Sequence, residues 1–313
     1  MNTTDRLKRA LNNPKLFIRG LNRGYHRWFG LRSENTSGIA VFDEDWDNLI
    51  ILDACRYDMF EQVNHIEGSL TAKESKASAT SEWLKANVAG RDLRDTVYVT
   101  ANPQLEGNRE NWNVDFHSVN NVWLNEGWDE ETGTVLADTM TEAAIGAYET
   151  FPHKRLVVHY MQPHYPFVPS DTDFDKGHLH TIEDGQDSPD GENIWGKKFM
   201  RELKLSRQEL WNIYTANLEY VLKRVEALLD VISGKTVITS DHGNYVGEQA
   251  SPIPIQEYGH PRGLYDDAVV QVPWLEHTCG ERRNIIIDSD SSDQSTVESE
   301  VISSRLRDLG YVE

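Results

Sequence analysis

The 313-residue chain carries 51 acidic and 31 basic residues, a formal net charge of −20. This balance excludes a nucleic-acid-binding protein, which would carry a basic surface. Strong net charge keeps a protein soluble in concentrated salt, where screening shortens the range of self-repulsion, so we expect a halophilic protein; an ordinary acidic protein is the alternative.

The two cysteines, Cys55 and Cys279, are far apart and form no CxxC pair. Two distant thiols do not make a disulfide framework, which predicts a reducing compartment. No apolar run reaches the ~18 residues needed to span a bilayer. The basic N-terminus lacks the apolar segment and cleavage site of a signal peptide. We therefore expect a cytoplasmic protein.

Residues 1–32 differ in charge from the rest of the chain. They hold eight basic residues against Asp5 alone, a net charge of +7, which leaves −27 for residues 33–313. Apolar residues recur at spacings of three, four or seven, which predicts two basic amphipathic helices broken near Pro14. This arm either contacts the inner membrane face peripherally or docks on the acidic body of its own chain. Residues 33–313 are predicted to form a single domain.

The first apolar run after the arm, Asn48–Leu52, predicts a buried strand. It ends at Asp53, and the carboxyl ends of strands are where open α/β sheets bind ligands. Arg56 follows three residues later, and its guanidinium is suited to forking onto an anion. The alternative is a helix cap at Asp53 and a salt bridge at Arg56.

Residues 75–85, SKASATSEWLK, predict a loop that enters a helix. Three hydroxyls, those of Ser78, Thr80 and Ser81, lie near the expected helix start. Backbone N–H groups at a helix N-terminus favour anions, so one of these hydroxyls is a candidate for chemistry on an anionic ester. Plain capping of the helix is the alternative.

The middle of the chain alternates between regular and irregular segments: a strand at 96–100, an irregular insertion at 102–135, a helix at 139–150, a strand at 155–158 and an acidic surface insertion at 168–194. The strand at 155–158 leads into His159 and His164. His164 stands between prolines, which fix the backbone around it. Exposed histidines in a proline-rich loop are the alternative.

The segment Lys235–Glu248, KTVITSDHGNYVGE, brings two metal-ligating side chains together. Its β-branched residues Thr236–Thr239 predict a buried strand, and Asp241 and His242 follow directly. Asp and His are good ligands for a divalent ion such as Zn²⁺, and Gly243 lets backbone or substrate come close. An Asp that caps a turn beside a partly buried His is the alternative. The other strand ends with polar residues favour the metal.

The C-terminal third completes the pattern: a helix at 205–232, strands at 269–275 and 284–287, and a helix at 298–309. Strands therefore alternate with helices along most of the chain. This alternation predicts an α/β fold with a mostly parallel central sheet and helices on both faces.

Four stretches occur in the order LDACRYD, SATSEWL, HYMQPHYPF and SDHGNYVGE, followed by YGHP. This order, over roughly residues 45–280, resembles the alkaline phosphatase superfamily. It is most similar to the sulfatase-like branch, which includes sulfatases, phosphoethanolamine transferases and lipoteichoic acid synthase. The chain also resembles sulfatase-like proteins of haloarchaea, in agreement with its acidity. SDHG with a following GE is the specific part of the resemblance.

The resemblance implies a role for several residues. Asp53 matches the first metal-binding acid, and Asp241 and His242 match the Asp-His metal pair of the family. Thr80 resembles the threonine nucleophile of the transferase branch, which also contacts the metal. Sulfatases instead use a cysteine converted to formylglycine within CxPSR, and the comparable residues 79–82 contain no cysteine.

Two pairs of residues complete the implied site. Arg56 and His164 resemble an arginine and a histidine of the transferases and are predicted to be catalytic. His260 resembles a histidine that binds substrate or a second metal, and we predict that His260 and His159 bind substrate.

Together these features predict a metal-dependent hydrolase or transferase that acts on phosphate or sulfate esters through a threonine nucleophile. The expected cofactor is a divalent ion, Zn or Mn, with Ca and Mg as further candidates. The expected substrate is an anionic ester on a cell-surface glycan or a lipid-linked molecule. A sulfatase without formylglycine and a non-catalytic binding protein with the same fold are the alternatives.

Overall fold

The computed structural model of the protein describes residues 14–28, 34–170, 194–287 and 299–309. The strands of this part of the chain are β1 (Asn48–Leu52), β2 (Ser69–Glu74), β3 (Asp92–Thr100), β4 (Asp115–Asn121), β5 (Arg155–Tyr160), β6 (Gly234–Thr239), β7 (Tyr245–Ala250), β8 (Ile255–Gly259) and β9 (Gln271–Cys279). Its helices are α1 (Pro14–Trp28), α2 (Tyr57–Val63), α3 (Thr80–Val88), α4 (Arg109–Trp112), α5 (Ala137–Thr150), α6 (Ile194–Met200), α7 (Arg207–Leu229), α8 (Asp267–Val270) and α9 (Ser299–Asp308).

Seven strands form one sheet in the order β2-β9-β6-β1-β5-β3-β4, and β7 and β8 form a separate antiparallel hairpin. β1 pairs in parallel with β5 and β6, and β3 with β4 and β5. β9 is antiparallel to both β2 and β6. Every residue of β1, NLIIL, is buried, as expected for a parallel strand with helices on both faces.

The two faces of the sheet bury separate hydrophobic clusters, because successive strand residues point to opposite sides. Leu49 and Ile51 pack in one cluster with Trp83 of α3. Ile50 and Leu52 pack in the other, which also contains the apolar residues of α2, α5 and α7. The predicted fold class, a mostly parallel α/β sheet with helices on both faces, is therefore confirmed.

Several predicted elements recur with small shifts at their ends. The predicted strand Asn48–Leu52 has the observed bounds of β1, and the long helix predicted at 205–232 spans Arg207–Leu229. Its N-terminus is set by a capping box, in which Ser206 and Glu209 satisfy each other's backbone N–H groups.

Two predictions about local structure are wrong. The segment 102–135 is not irregular throughout, because it contains β4 at the edge of the sheet. The sequence of β4, DFHSVNN, is polar and only partly buried, so it carries no strand periodicity. The segment 284–287 is apolar but forms no strand; Ile286 and Ile287 are exposed, and Ile286 donates its N–H to the His153 carbonyl at 2.9 Å.

In the described ranges, no helix has the length and apolar character required to cross a bilayer. The first of the two predicted arm helices falls in residues 1–13, outside the described residues. The same holds for residues 29–33 and for residues 171–193 of the predicted acidic insertion. The division into an arm at 1–32 and one domain at 33–313 stays a prediction.

Candidate metal centre

Four neighbouring parallel strands bring polar residues to one edge of the sheet: Asp53 after β1, Asp241 after β6, His159 near the end of β5 and Asn102 after β3. The strand register explains why they meet. Ile51 of β1 pairs with both His159 of β5 and Thr239 of β6, so these strands end at the same level. This edge is where open α/β sheets bind ligands.

Asp53, His159 and Asp241 form a fully buried cluster. Each offers one ligand atom, and these atoms lie within 4.8 Å of one another. His242 belongs to the same cluster, because its Nε2 lies 3.4 Å from Asp241 Oδ2 and 3.8 Å from Asp53 Oδ1. The structure thus brings together the three residues predicted as metal ligands at the sheet edge and adds His159 to them.

Thr80 is the first residue of α3 and its hydroxyl reaches this cluster. Thr80 Oγ1 lies 3.4 Å from Asp53 Oδ2 and 3.3 Å from His242 Nε2. Trp83 and Leu84 hold α3 against the sheet, which directs the N-terminus of the helix to the cluster. The first backbone N–H groups of a helix have no acceptor within it, so they are suited to binding an anion here.

The other two candidate hydroxyls are engaged elsewhere. Ser78 Oγ accepts a hydrogen bond from the Gly263 N–H at 2.7 Å and donates one to Glu82 Oε2 at 2.9 Å. Ser81 Oγ accepts a hydrogen bond from Arg262. Of the three hydroxyls that the sequence leaves open, the structure therefore brings that of Thr80 to the metal-ligand candidates.

Backbone groups orient Asp241. Its Oδ1 accepts hydrogen bonds from the N–H groups of Ala54 at 3.0 Å and His242 at 2.9 Å, whereas Oδ2 faces the cluster and has no hydrogen-bond partner among the described residues. Burial raises the pKa of Asp241, but the His242 and His159 rings and the Ala54 N–H outweigh it, so the pKa lies below its ordinary value. The carboxylate is ionised and available to a cation.

A strained turn supports this arrangement. Ala54, directly after Asp53, has a φ of 60°, a left-handed conformation that costs an alanine ~1–2 kcal/mol. The turn is held by the Ala54 hydrogen bond to Asp241, by a 2.8 Å bond from the Cys55 N–H to Ser240 Oγ and by Tyr214, whose hydroxyl donates to the Ala54 carbonyl at 2.6 Å. Strain of this kind concentrates at functional sites.

Both rings nearest to Asp241 have defined surroundings. His242 Nδ1 lies 2.8 Å from the Gly243 carbonyl, which only accepts, so Nδ1 donates this hydrogen bond and Nε2 is the ring nitrogen that faces the cluster. His159 Nδ1 lies 2.7 Å from the Tyr98 hydroxyl, and its Nε2 lies 3.9 Å from Asp241 Oδ2. Burial lowers the pKa of His159 to about 4, so this ring is neutral at pH 7.

His164 and His260 form a second layer of imidazoles. Their Nε2 atoms are 3.0 Å apart, and the His260 ring stacks on His242 at 4.3 Å between centroids. His164 Nδ1 donates to the Tyr165 carbonyl at 2.5 Å. Burial lowers the pKa of His164 to about 4 and that of His260 well below its ordinary value, so both rings are neutral hydrogen-bonding groups at pH 7.

The guanidinium of Arg56 is held in ion pairs. It forms two hydrogen bonds to Asp58 at 2.6 and 2.8 Å, and its Nη1 lies 2.9 Å from Glu248 and 3.0 Å from the Asn244 carbonyl. Arg56 thus forms salt bridges, as the alternative interpretation of this residue predicts. Its catalytic role stays a prediction.

Sequence reasoning missed Asn102, whose Nδ2 donates to Asp53 Oδ2 at 2.9 Å. It also missed Tyr98, the hydrogen-bond partner of His159. Asn102 could have been found from its position, since it is a polar residue that follows β3 as Asp53 follows β1. Tyr98 lies inside β3 and has the character of a core residue, so no local pattern distinguishes it.

The donor set fits a divalent cation. Two buried carboxylates need positive charge close by, and Asp241 Oδ2 and His159 Nε2 are buried without a hydrogen bond to any described residue. Carboxylate oxygens combined with imidazole nitrogens suit Zn²⁺ better than Ca²⁺ or Mg²⁺, which prefer ligand sets made of oxygen alone. Asp53, Asp241, His242 and His159 are the residues suited to hold the ion.

No known protein-family model matches the chain, and no curated protein matches it in sequence. Solved structures with a similar architecture include the integral membrane lipooligosaccharide phosphoethanolamine transferase A from Neisseria meningitidis. It is 13% identical, with a TM-score of 0.48, over 73% of this chain and 46% of that one. The chain thus spans about half the length of that protein.

Two further structures are similar in architecture. The C-terminal periplasmic domain of EcEptC from Escherichia coli, in complex with Zn, is 13% identical over 73% of this chain and 72% of that one, with a TM-score of 0.42. A putative sulfatase from Bacteroides thetaiotaomicron is 10% identical over 85% and 71%, with a TM-score of 0.40. At these values the likenesses carry no argument about the site.

Proposed function

We propose that this chain is a metal-dependent hydrolase or transferase of phosphate or sulfate esters, of the sulfatase-like branch of the alkaline phosphatase superfamily, with Thr80 as its nucleophile. One observation carries the proposal. Thr80 Oγ1 lies at the N-terminus of α3 within 3.4 Å of Asp53 and 3.3 Å of His242, two of the buried metal-ligand candidates. A nucleophilic alcohol, cation ligands and an anion-binding helix end therefore converge at one point.

The resident ion would be held by Asp53, Asp241 and His242, with His159 as the additional ligand. When bound, a divalent cation supplies Lewis acidity, which lowers the pKa of a neighbouring alcohol and neutralises charge on a transferring group. Asp53 Oδ2, which lies 3.4 Å from the Thr80 hydroxyl, is the group placed to receive its proton, because the His242 nitrogen that faces Thr80 is a candidate metal ligand.

The reaction would then proceed in two steps on protein groups. In the first, Thr80 Oγ1 attacks the phosphorus or sulfur atom, the bond to the ester oxygen breaks, and a covalent threonine ester forms. The proton that Thr80 gives up passes through solvent water to the departing oxygen, because the buried His164 and His260 rings are neutral at pH 7 and carry no acidic proton. In the second, water or an acceptor alcohol attacks the threonine ester and releases Thr80.

Stabilisation of the transferring group would come from fixed donors. The N–H groups of the first turn of α3, which have no acceptor within the helix, favour the negative oxygens of the group in transfer. His260 would serve as a donor to the same oxygens once its 3.0 Å hydrogen bond to His164 breaks. Residues 79–82 contain no cysteine, which argues against the usual route through formylglycine.

A substrate screen with metal analysis tests the proposal. The purified protein is assayed with p-nitrophenyl phosphate, bis-(p-nitrophenyl) phosphate and p-nitrophenyl sulfate, and its metal content is measured by mass spectrometry. We expect bound Zn²⁺ or Mn²⁺ and turnover of at least one ester, which is lost in Thr80→Ala. Full metal content with no turnover of any ester would favour the binding protein. Turnover of the sulfate alone would favour the sulfatase without formylglycine.

A further inference from the structure

Helix α1 (Pro14–Trp28) meets the rest of the protein through polar side chains. Arg19 pairs with the buried carboxylate of Glu257, with 2.8 Å between Nε and Oε2. Asn22 is fully buried and exchanges two hydrogen bonds with the backbone of Ile253, at 2.9 and 3.0 Å. The helix is therefore docked, as one of the two interpretations of the arm predicts. Its polar side forms these hydrogen bonds, and Leu16 and Ile18 pack against the hydrophobic core.

An apolar stripe is exposed on another face of the same helix. Phe17, Leu21 and Tyr25 recur every four residues and are 51%, 45% and 44% exposed. Gly20 and Gly24, between them, are exposed as well. Helix α1 contains no acidic residue. A helix of a soluble protein normally buries its whole apolar face, whereas α1 leaves this stripe exposed.

Exposed apolar residues are concentrated at this place. Eight large hydrophobic side chains are exposed among the described residues, and three of them belong to the stripe. A fourth, Ile253, lies in the turn of the β7–β8 hairpin that Asn22 contacts. Exposed apolar side chains grouped in this way mark an interaction surface.

Charge identifies a lipid surface as the occupant. Residues 1–32 carry +7, whereas residues 33–313 carry −27. An anionic lipid surface attracts the arm and repels the remaining surface, so it favours the orientation in which the arm faces the lipid. Aromatic and aliphatic side chains on a basic helix are typical of helices that lie in the headgroup region of a bilayer.

The docked helix also connects this surface to the candidate metal centre. Glu257, the partner of Arg19, lies in β8, which ends at Gly259. The next residue, His260, stacks on His242. Three residues of extended chain, about 10 Å, thus separate the helix contact from the site. The contact of the docked helix is thus close along the chain to the candidate metal centre.

We infer that α1 seats the protein on an anionic lipid surface through Phe17, Leu21 and Tyr25, and that the substrate is a phosphate or sulfate ester carried in that surface. The substrate half of this inference rests on the proposed function, and the seating half does not. At high salt, where attraction between charges is screened, the apolar stripe supplies most of the affinity.

Flotation with vesicles tests the seating. The full-length protein is mixed with vesicles of phosphatidylcholine and phosphatidylglycerol and compared with the triple variant Phe17→Ser/Leu21→Ser/Tyr25→Ser. The matched control is Ile287→Ser, which removes an apolar side chain that is 67% exposed elsewhere. We expect the wild type and Ile287→Ser to float with the vesicles. The triple variant should partition into the vesicles at least about tenfold less, since burial of a single large apolar side chain can change a partition constant by about tenfold.

Equal flotation of the wild type and the triple variant, or no flotation of the wild type, would overturn the seating. So would a dimer that forms without vesicles and dissociates in Leu21→Ser, because a second copy would then cover the stripe. If the triple variant melts early, the single variant Leu21→Ser is compared in the same way.

A soluble ester separates the two halves. We expect the triple variant to match the wild type on p-nitrophenyl phosphate and to lose activity on a fluorescent phosphodiester embedded in the vesicles. Flotation without turnover of these two esters or of p-nitrophenyl sulfate would refute the proposed function and leave the seating intact. Turnover of the soluble ester with equal rates on the embedded ester for both proteins would refute the substrate class alone.

Discussion

Thr80 and Ser78 offer a matched pair of substitutions, because both hydroxyls are fully buried at the start of α3 and they have different neighbours. Thr80→Ala removes the proposed nucleophile. We expect turnover to fall by at least about 10⁴-fold, equivalent to ~5.5 kcal/mol of barrier. Ser78→Ala removes no group that reacts, so its turnover should stay within a few-fold of the wild type.

The cost in stability should be similar for the two variants. The contacts of the Thr80 hydroxyl, 3.3 and 3.4 Å long, are each worth ~0.5 kcal/mol at most, and the lost methyl group adds ~1 kcal/mol. Ser78→Ala leaves the N–H of Gly263 without its 2.7 Å acceptor, which costs ~1–2 kcal/mol. Each variant should therefore melt a few degrees below the wild type.

Three measurements decide the comparison. Thermal melts give the stability of each variant, initial rates on the preferred ester give turnover, and peptide mapping after a rapid acid quench locates the covalent adduct. The adduct should lie on the peptide of Thr80 in the wild type and be absent in Thr80→Ala. Thr80→Ser keeps the oxygen and should keep part of the activity.

Two outcomes would refute this reasoning. Near-normal turnover in Thr80→Ala would remove Thr80 from the chemistry and leave the metal centre unaffected. An adduct on Ser78, or a loss of turnover in Ser78→Ala as large as in Thr80→Ala at equal stability, would move the nucleophile two residues towards the N-terminus.

Removal of a ligand from the metal centre should empty it: Asp241→Asn should contain little Zn²⁺ or Mn²⁺ by mass spectrometry, and full occupancy would contradict the assignment. Asn102→Ala should weaken metal binding about 10–100-fold in a competition titration with a chelator, because Asn102 orients Asp53 through a 2.9 Å hydrogen bond. The net charge of −20 predicts a melting temperature that rises steeply from low to molar KCl. A flat profile would show that the acidity is not a halophilic adaptation.

The strands that carry the candidate metal centre could be predicted from the sequence because their signals are local. Asn48–Leu52 and Thr236–Thr239 are short apolar runs that end directly in Asp53 and Asp241. A buried parallel strand can be recognised from its own residues, because they form a short, nearly continuous apolar run. The rule that ligands bind at the carboxyl ends of such strands then applies without knowledge of the remaining fold.

The edge strand β4 was not predicted because its sequence contains no apolar run. β4 is a partly buried edge strand with the polar sequence DFHSVNN, and its place is decided by pairing with β3. The opposite error is the strand predicted at 284–287. An apolar run forms a buried strand only if a neighbouring strand is available to pair with it, and the described part of the fold provides none for this segment. Ile287 is 67% exposed.

Only the tertiary structure decided between the alternatives that the sequence left open. Thr80 differs from Ser78 and Ser81 through contacts to residues 27 and 162 positions away in the chain. Arg56 is held in part by the Asn244 carbonyl, 188 positions away. Local sequence shows which hydroxyls and charges are near a helix start. It does not show which of them face the sheet edge once the helix has packed.

Helix α1 makes the same point for a surface. Its amphipathic pattern was visible in the sequence, and so were its charge and its two interpretations. That the polar side docks on Glu257 while Phe17, Leu21 and Tyr25 are exposed depends on a buried carboxylate 238 residues away from Arg19. Periodicity along a helix defines its faces, but the partner that each face contacts is set by parts of the chain that are distant in sequence.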